Sequence, residues 1–218
     1  MKAKHLFATV AITLSLLPFS GIPRQDKGVL DPEDSNEARL NRLLPPERIM
    51  DAVGVALGMV LAEIGAGRGR FVVHLSVRVG EKGKVYAEDI DAEDLRHLEN
   101  RCEKWGLDNI ETILGDLTDP KLPETEMDLI LVVSSYHHFS DPVALIRKSK
   151  SALKEGGRLA IAEWLPWNDG DREGTKPEDV EAQMETAGYR LIGKERLDVA
   201  KPLIVYLFRP FEERFVDH

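Results

Sequence analysis

Cysteine is almost missing from this chain: Cys102 is the only one among 218 residues. A lone thiol closes no disulfide within the chain, and no Cys/His group has the spacing of zinc ligands, so no metal site is expected. The expected place for Cys102 is a buried or half-buried helix face. Basic residues are also scarce, 29 against 38 acidic ones, for a net charge of −9. Proteins that bind nucleic acid show a basic patch for the phosphates, so no nucleic-acid partner is expected. Long apolar runs are lacking too. The stretch Leu6 to Phe19 is 14 residues, short of the ~20 that a bilayer-spanning helix needs. Internal repeats and low-complexity tracts are absent. What remains, with 43% hydrophobic and 31% charged residues, is an ordinary globular chain large enough for one domain with a substantial core.

The N-terminus has its own composition. Lys2 and Lys4 precede the apolar stretch, and Ser20-Gly21 follow it, which is the layout of a secretory signal peptide. Pro18 and Phe19 make a poor cleavage site, so residues 1–21 are expected to be a signal peptide or a retained anchor. The expected location is therefore exported (periplasmic or secreted) or membrane-anchored through this segment, with the cytoplasm as the alternative. Residues 22–36, polar and carrying Pro23 and Pro32, read as a linker. The domain is expected over 37–210 and a tail over 211–218. Oligomeric state stays open.

The informative stretch is Val60 to Phe71, Val-Leu-Ala-Glu-Ile-Gly-Ala-Gly-Arg-Gly-Arg-Phe. Met59 to Ile64 is a short apolar run, the pattern of a buried parallel strand. Gly65, Gly67 and Gly69 follow, and then Phe71, Val72, Leu75 and Val79 recur at helical spacing. A strand passing through glycines into a helix opens a nucleotide-binding βαβ unit. The dinucleotide fingerprint requires a glycine where this chain has Arg70.

Further strands are expected at Lys84–Asp89, Ile110–Leu114, Leu129–Val133 and Arg158–Ala162, with a final pair at Tyr189–Leu197 and Leu203–Arg209. Helices are expected between them: Ala38–Leu44, one opening at Pro45-Pro46, Ala92–Trp105, Asp141–Leu153 and Pro177–Ala187. Asp89 lies 20 residues beyond Gly69, where a carboxylate at a strand's C-terminal end can accept both ribose hydroxyls. Glu88 and Asp91 are its neighbours and alternatives. Ser134-Ser135-Tyr136-His137-His138-Phe139 ends the apolar run at 129–133. Ligands of parallel α/β sheets sit outside the strands' carboxyl ends, so this polar cluster should face the site. A histidine there could take a proton from a hydroxyl or amine.

The pattern Glu63-x-Gly65-x-Gly67-x-Gly69 resembles the first motif of class I S-adenosylmethionine-dependent methyltransferases. The resemblance extends through Asp89, Gly115-Asp116, Tyr136-His137-His138-Phe139 and Ala152-Leu-Lys-Glu-Gly-Gly-Arg-Leu159, from about Pro46 to Arg209. Within that class the chain is similar to small-molecule, quinone-biosynthesis-type methylases and to exported bacterial relatives. It departs from the common motif at Arg68, where many members carry Thr or Ser.

The resemblance implies an α/β fold: a Rossmann-like, seven-stranded, mostly parallel sheet with helices on both faces and an antiparallel last strand. It implies S-adenosyl-L-methionine as cofactor and methyl transfer to a small-molecule acceptor. Glu63, Gly65, Ala66, Gly67, Gly69, Asp89, Ile90, Asp116, Leu117 and Ser134 would bind the cofactor. His137, His138 and Tyr136 are the catalytic candidates. The polar loop from Trp164 to Lys176, with Trp167, Asn168, Asp169 and Asp171, would line the acceptor side. Two other readings remain: a protein that binds S-adenosylmethionine without transferring its methyl, and an NAD-dependent oxidoreductase, which Arg70 and the closing strand pair disfavour.

Overall fold

The computed structural model describes residues 30–166, 168 and 173–211. Residues 1–29, which include the expected signal or anchor segment, and Trp167, Asp169, Asp171 and the residues beyond Phe211 lie outside the described residues. Among the described residues there are seven strands: β1 (Val60–Ile64), β2 (Lys84–Asp89), β3 (Ile110–Leu114), β4 (Met127–Val133), β5 (Leu153–Trp164), β6 (Tyr189–Leu197) and β7 (Leu203–Pro210). They form one sheet in the order β3-β2-β1-β4-β5-β7-β6. The first five are mutually parallel, and β7 runs antiparallel between β5 and β6. The strand order reverses between β1 and β4, where α/β folds place their ligands.

Both sheet faces are covered, and the period-two alternation of the central strands divides their side chains between two cores. In β4, Leu129, Leu131 and Val133 join the core under α2 (Pro46–Val53), α3 (Val72–Val79) and α4 (Ala92–Trp105). Ile130 and Val132 point the other way, into the core under α5 (Pro142–Ser149) and α6 (Pro177–Thr186). All five are 6% exposed or less, and this two-sided burial is why the run is apolar without a break.

Local chemistry sets several boundaries. Asp91 caps α4, its side chain accepting from the Glu93 and Asp94 amides, and left-handed Gly106 ends that helix. The first helix, α1 (Ser35–Leu43), starts earlier than the sequence pattern indicates because Asp34 caps it. Leu30 packs on the core and Glu33 pairs with His97, so the end of the expected linker is tied to the domain. Helix α5 stops at Ser149 rather than continuing to Leu153, followed by a single tight turn at Lys150–Ala152. β5 then begins at Leu153, five residues before the expected start, and its register against β4 jumps between Leu153 and Arg158. Gly156-Gly157 falls in that irregularity, so the sequence motif there is a bulge within a strand rather than a loop before one.

Candidate active site

The carboxyl ends of β1, β2 and β4 open into a cavity of about 940 Å³, roofed by α1 and the turn after β4. Its floor is the glycine loop. Gly65 and Ala66 donate their amides to the Glu88 carbonyl at 2.9 Å each, Gly67 to Asp89 Oδ2 at 2.7 Å and Gly69 to the Ala66 carbonyl at 3.0 Å. Four loop amides are thus engaged within the protein, whereas pyrophosphate binding at a helix N-terminus uses such groups as free donors. Gly65 has no substitute. It sits at φ 76°, and a Cβ there would lie 2.7 Å from Ser135 Oγ. Ser135 Oγ in turn donates to the Ile64 carbonyl at 3.2 Å.

Asp89 is placed as the sequence indicates. Its Oδ2 holds Gly67 and its Oδ1 accepts from the Asp91 amide at 2.9 Å. A carboxylate has roughly four lone-pair positions, so two remain for a diol in the cavity. Asp91 is spent on the cap of α4, which removes it as an alternative. Asp116 lines the cavity at the end of β3, its backbone clamped by reciprocal hydrogen bonds with Asp119. Ile90 and Leu117, 54% and 53% exposed, also line it. Two apolar side chains left open at a cavity wall suit a flat heterocycle.

Glu63 is 3% exposed at the end of β1, and its Oε2 has no hydrogen-bond partner. Burial pushes its carboxyl up to about 8; the Arg70 guanidinium draws it back down and Asp89 adds to the rise. Ser134, at φ 56° where β4 turns away, likewise has a buried hydroxyl without a partner. These two orphaned groups line the cavity, and a cationic, amino-acid-like ligand would satisfy both. Gly69 is not at the wall. It lets the loop pack against Leu98 of α4, whose side chain a Cβ at 69 would overlap.

The turn Tyr136–His138 separates its three candidates. His137 Nδ1 lies 2.8 Å from Glu163 Oε1, with side chains 7% and 1% exposed. The Trp164 amide donates to the same oxygen at 3.0 Å. His138 is exposed at the cavity rim, its ring centroid 4.0 Å from that of His137. Tyr136 does not reach the site, a correction to the sequence reading. It is buried in the core under α6, its hydroxyl donating to Gln183 Oε1 at 2.6 Å. A one-residue step in a tight turn swings the side chain to the other side of the sheet.

Four contributors, Glu163, Arg39, Leu40 and Arg70, were not marked as site residues in the sequence. Glu163 shows there only as an acid ending the apolar run Leu159–Ala162, a signal equal to the one that flagged Glu63. Arg39 and Leu40 of α1, which line the cavity with Trp164 and Lys201, carry no sequence signal. Arg70 joins α1 to the loop by donating to Asn41 Oδ1 at 3.0 Å. Cys102 lies half-buried on α4 as expected, and burial pushes its thiol up to about 11.

Comparison with known proteins agrees with this geometry. A methyltransferase-domain family profile matches residues 61–157. A structure of an S-adenosylmethionine-dependent methyltransferase from Aquifex aeolicus superposes with a TM-score of 0.70 at 28% identity, covering 83% of this chain and 99% of that one. Nocamycin O-methyltransferase of Saccharothrix syringae is 29% identical over 119 residues, 55% of this chain and 42% of the relative. The ubiquinone/menaquinone biosynthesis C-methyltransferase of Escherichia coli is 27% identical over 116 residues, 53% of this chain and 46% of the relative. The chain thus spans less than half the length of these curated relatives. Residues 61–157 thus match a methyltransferase domain, and the fold is similar to that of an S-adenosylmethionine-dependent methyltransferase.

Proposed function

We propose that the protein methylates a small-molecule acceptor at an oxygen or nitrogen that arrives protonated. The observation that carries this reading is His137 on the cavity wall, with its Nδ1 2.8 Å from buried Glu163 behind it. With Nδ1–H donated to the Glu163 carboxylate, the ring keeps Nε2 as its basic nitrogen, and Glu163 stabilises the imidazolium that forms when a proton is taken.

Asp89 would hold the ribose hydroxyls, Asp116 the adenine amino group, and Glu63 with Ser134 the methionine end. When bound, S-adenosylmethionine supplies a methyl group already activated by its sulfonium, so the protein's contribution is alignment and proton removal. Leu40, Leu43, Phe139 and Trp164 wall the acceptor side and exclude water from the proton transfer. An acceptor with an apolar body and one ionisable group fits that lining.

The test is transfer of radiolabelled methyl to a panel of phenols, hydroxy acids and amines. His137→Gln is expected to lower turnover about 10²–10⁴-fold with cofactor affinity unchanged. Glu163→Gln should lower it less and shift the pH profile. Tyr136→Phe should keep full turnover and cost about 1 kcal/mol of stability. Full turnover in His137→Gln would refute the general-base role.

The same proposal extends to location. The Lys2/Lys4 start and the apolar run to Phe19 support export or membrane anchoring. Cell fractionation with mass spectrometry of the N-terminus checks this; a cytosolic protein still beginning at Met1 would overturn it.

A further inference from the structure

Glu88 has no part in the chemistry above, yet it is 2% exposed, lines the cavity, and leaves Oε1 without a hydrogen-bond partner. It precedes Asp89 on β2, so the pleat sends its side chain to the opposite face of the strand. There it rises against Gly115 at the end of β3. A Cβ at 115 would overlap the Glu88 carboxyl, with Oε1 the nearest atom. The glycine before Asp116 therefore leaves room for this carboxyl at the adenosine end of the cavity, beside Ile90, Asp116 and Leu117.

We propose that Glu88 binds the adenosine half of the cofactor as a neutral carboxylic acid, donating its O–H to an acceptor atom there. The inference rests on the reading that the cavity holds S-adenosylmethionine. Adenosine presents donors, its amino and hydroxyl hydrogens, and acceptors, its ring nitrogens and ribose oxygens. The Asp89 and Asp116 carboxylates accept, and so serve the donors. A protonated Glu88 supplies the missing donor.

Its surroundings favour that form. Burial is the largest influence and pushes the carboxyl up to about 8, and adjacent Asp89 adds to the rise. The Gly65 backbone and Lys121 oppose it, and Asp119 favours it. Asp116 lines the same end of the cavity.

Calorimetric titration with S-adenosylhomocysteine between pH 6.5 and 9 tests the proposal on the wild type, Glu88→Gln and Glu88→Leu. The Gln amide donates at every pH, so comparison with it cancels the titration of Glu63 and of the ligand. Wild-type affinity relative to Glu88→Gln should hold steady up to pH 7 and fall several-fold between pH 8 and 9. Glu88→Leu, folded by circular dichroism, should bind about tenfold more weakly at pH 7. A ratio constant across the range would overturn the proposal, and if Glu88→Leu fails to fold, that ratio alone decides. Wild type that binds no S-adenosylhomocysteine would overturn the cofactor reading with it. Tight binding by all three proteins at every pH would overturn this inference only.

Discussion

Glu63 and Glu88 bring two carboxyl groups into the interior, each held near 8 against an ordinary value of 4.5. A raised carboxyl titration means that the folded protein keeps protons which the unfolded chain has released. Below pH 4.5 both states are protonated and the contribution to stability is whole. Between 4.5 and 8 the unfolded chain ionises first, so stability falls by about 1.4 kcal/mol per pH unit for each group. The ligand-free protein should therefore melt at progressively lower temperature from pH 5 to 8. Glu63→Gln should remove about half of that slope. Parallel slopes for variant and wild type in a thermal denaturation series would show that Glu63 is ionised throughout.

At the scale of elements, α1 is the piece whose position shapes the acceptor side. Arg101 of α4 bonds Glu37 of α1 at 2.5 Å, with side chains only 2% and 10% exposed, and also reaches the Arg68 carbonyl at 3.4 Å. Its guanidinium lies 4.4 Å over the Trp105 ring. Arg70 makes a second bridge, to Asn41. Both bridges run from α1 to the segment forming the cofactor floor, so loop and roof are held as one unit. Breaking a buried pair leaves an uncompensated charge, which typically costs 3–5 kcal/mol. Glu37→Ala should thus destabilise the protein by about 3 kcal/mol in urea unfolding. It should also speed hydrogen exchange in residues 35–43 ahead of the sheet. Exchange that stays uniform would mean that packing of Leu44 and α2 alone seats the helix.

Across the whole molecule, the ligand choice follows from where polar groups are left open. The glycine loop has spent amides that a pyrophosphate would need, while Glu63, Ser134 and Asp89 offer acceptors. S-adenosylhomocysteine at roughly 100 times its Kd should stabilise the protein by about 2.7 kcal/mol. For a domain of this size that corresponds to a melting shift of about 5–10 °C. NAD at the same concentration should produce none. A shift with NAD and none with the sulfur ligand would reverse the assignment.

The architecture was readable in the chain because its cues are local. Short apolar runs rich in β-branched residues, such as Leu129–Val133, fit strands buried on both faces, and the 3.6-residue period of the segments between them marks helices. Glycines at 65, 67 and 69 and the acids at 63, 89 and 116 stand at the ends of such runs, so their place at the sheet's carboxyl edge followed from connectivity. Other features needed the fold. Tyr136 and His137 are adjacent and equally polar, yet the turn sends one into the core and the other to Glu163, 26 residues away. Asp89 was preferred over its neighbour Glu88 by motif register alone, and the pleat puts one on the Gly67 amide and the other against Gly115. The roof over the acceptor, with Arg39 and Leu40, depends on long-range pairing of Glu37 with Arg101, 64 residues apart. Spacing along a chain encodes which backbone groups must be satisfied nearby, but the direction of a side chain in a turn and its partner across the sheet are set by packing.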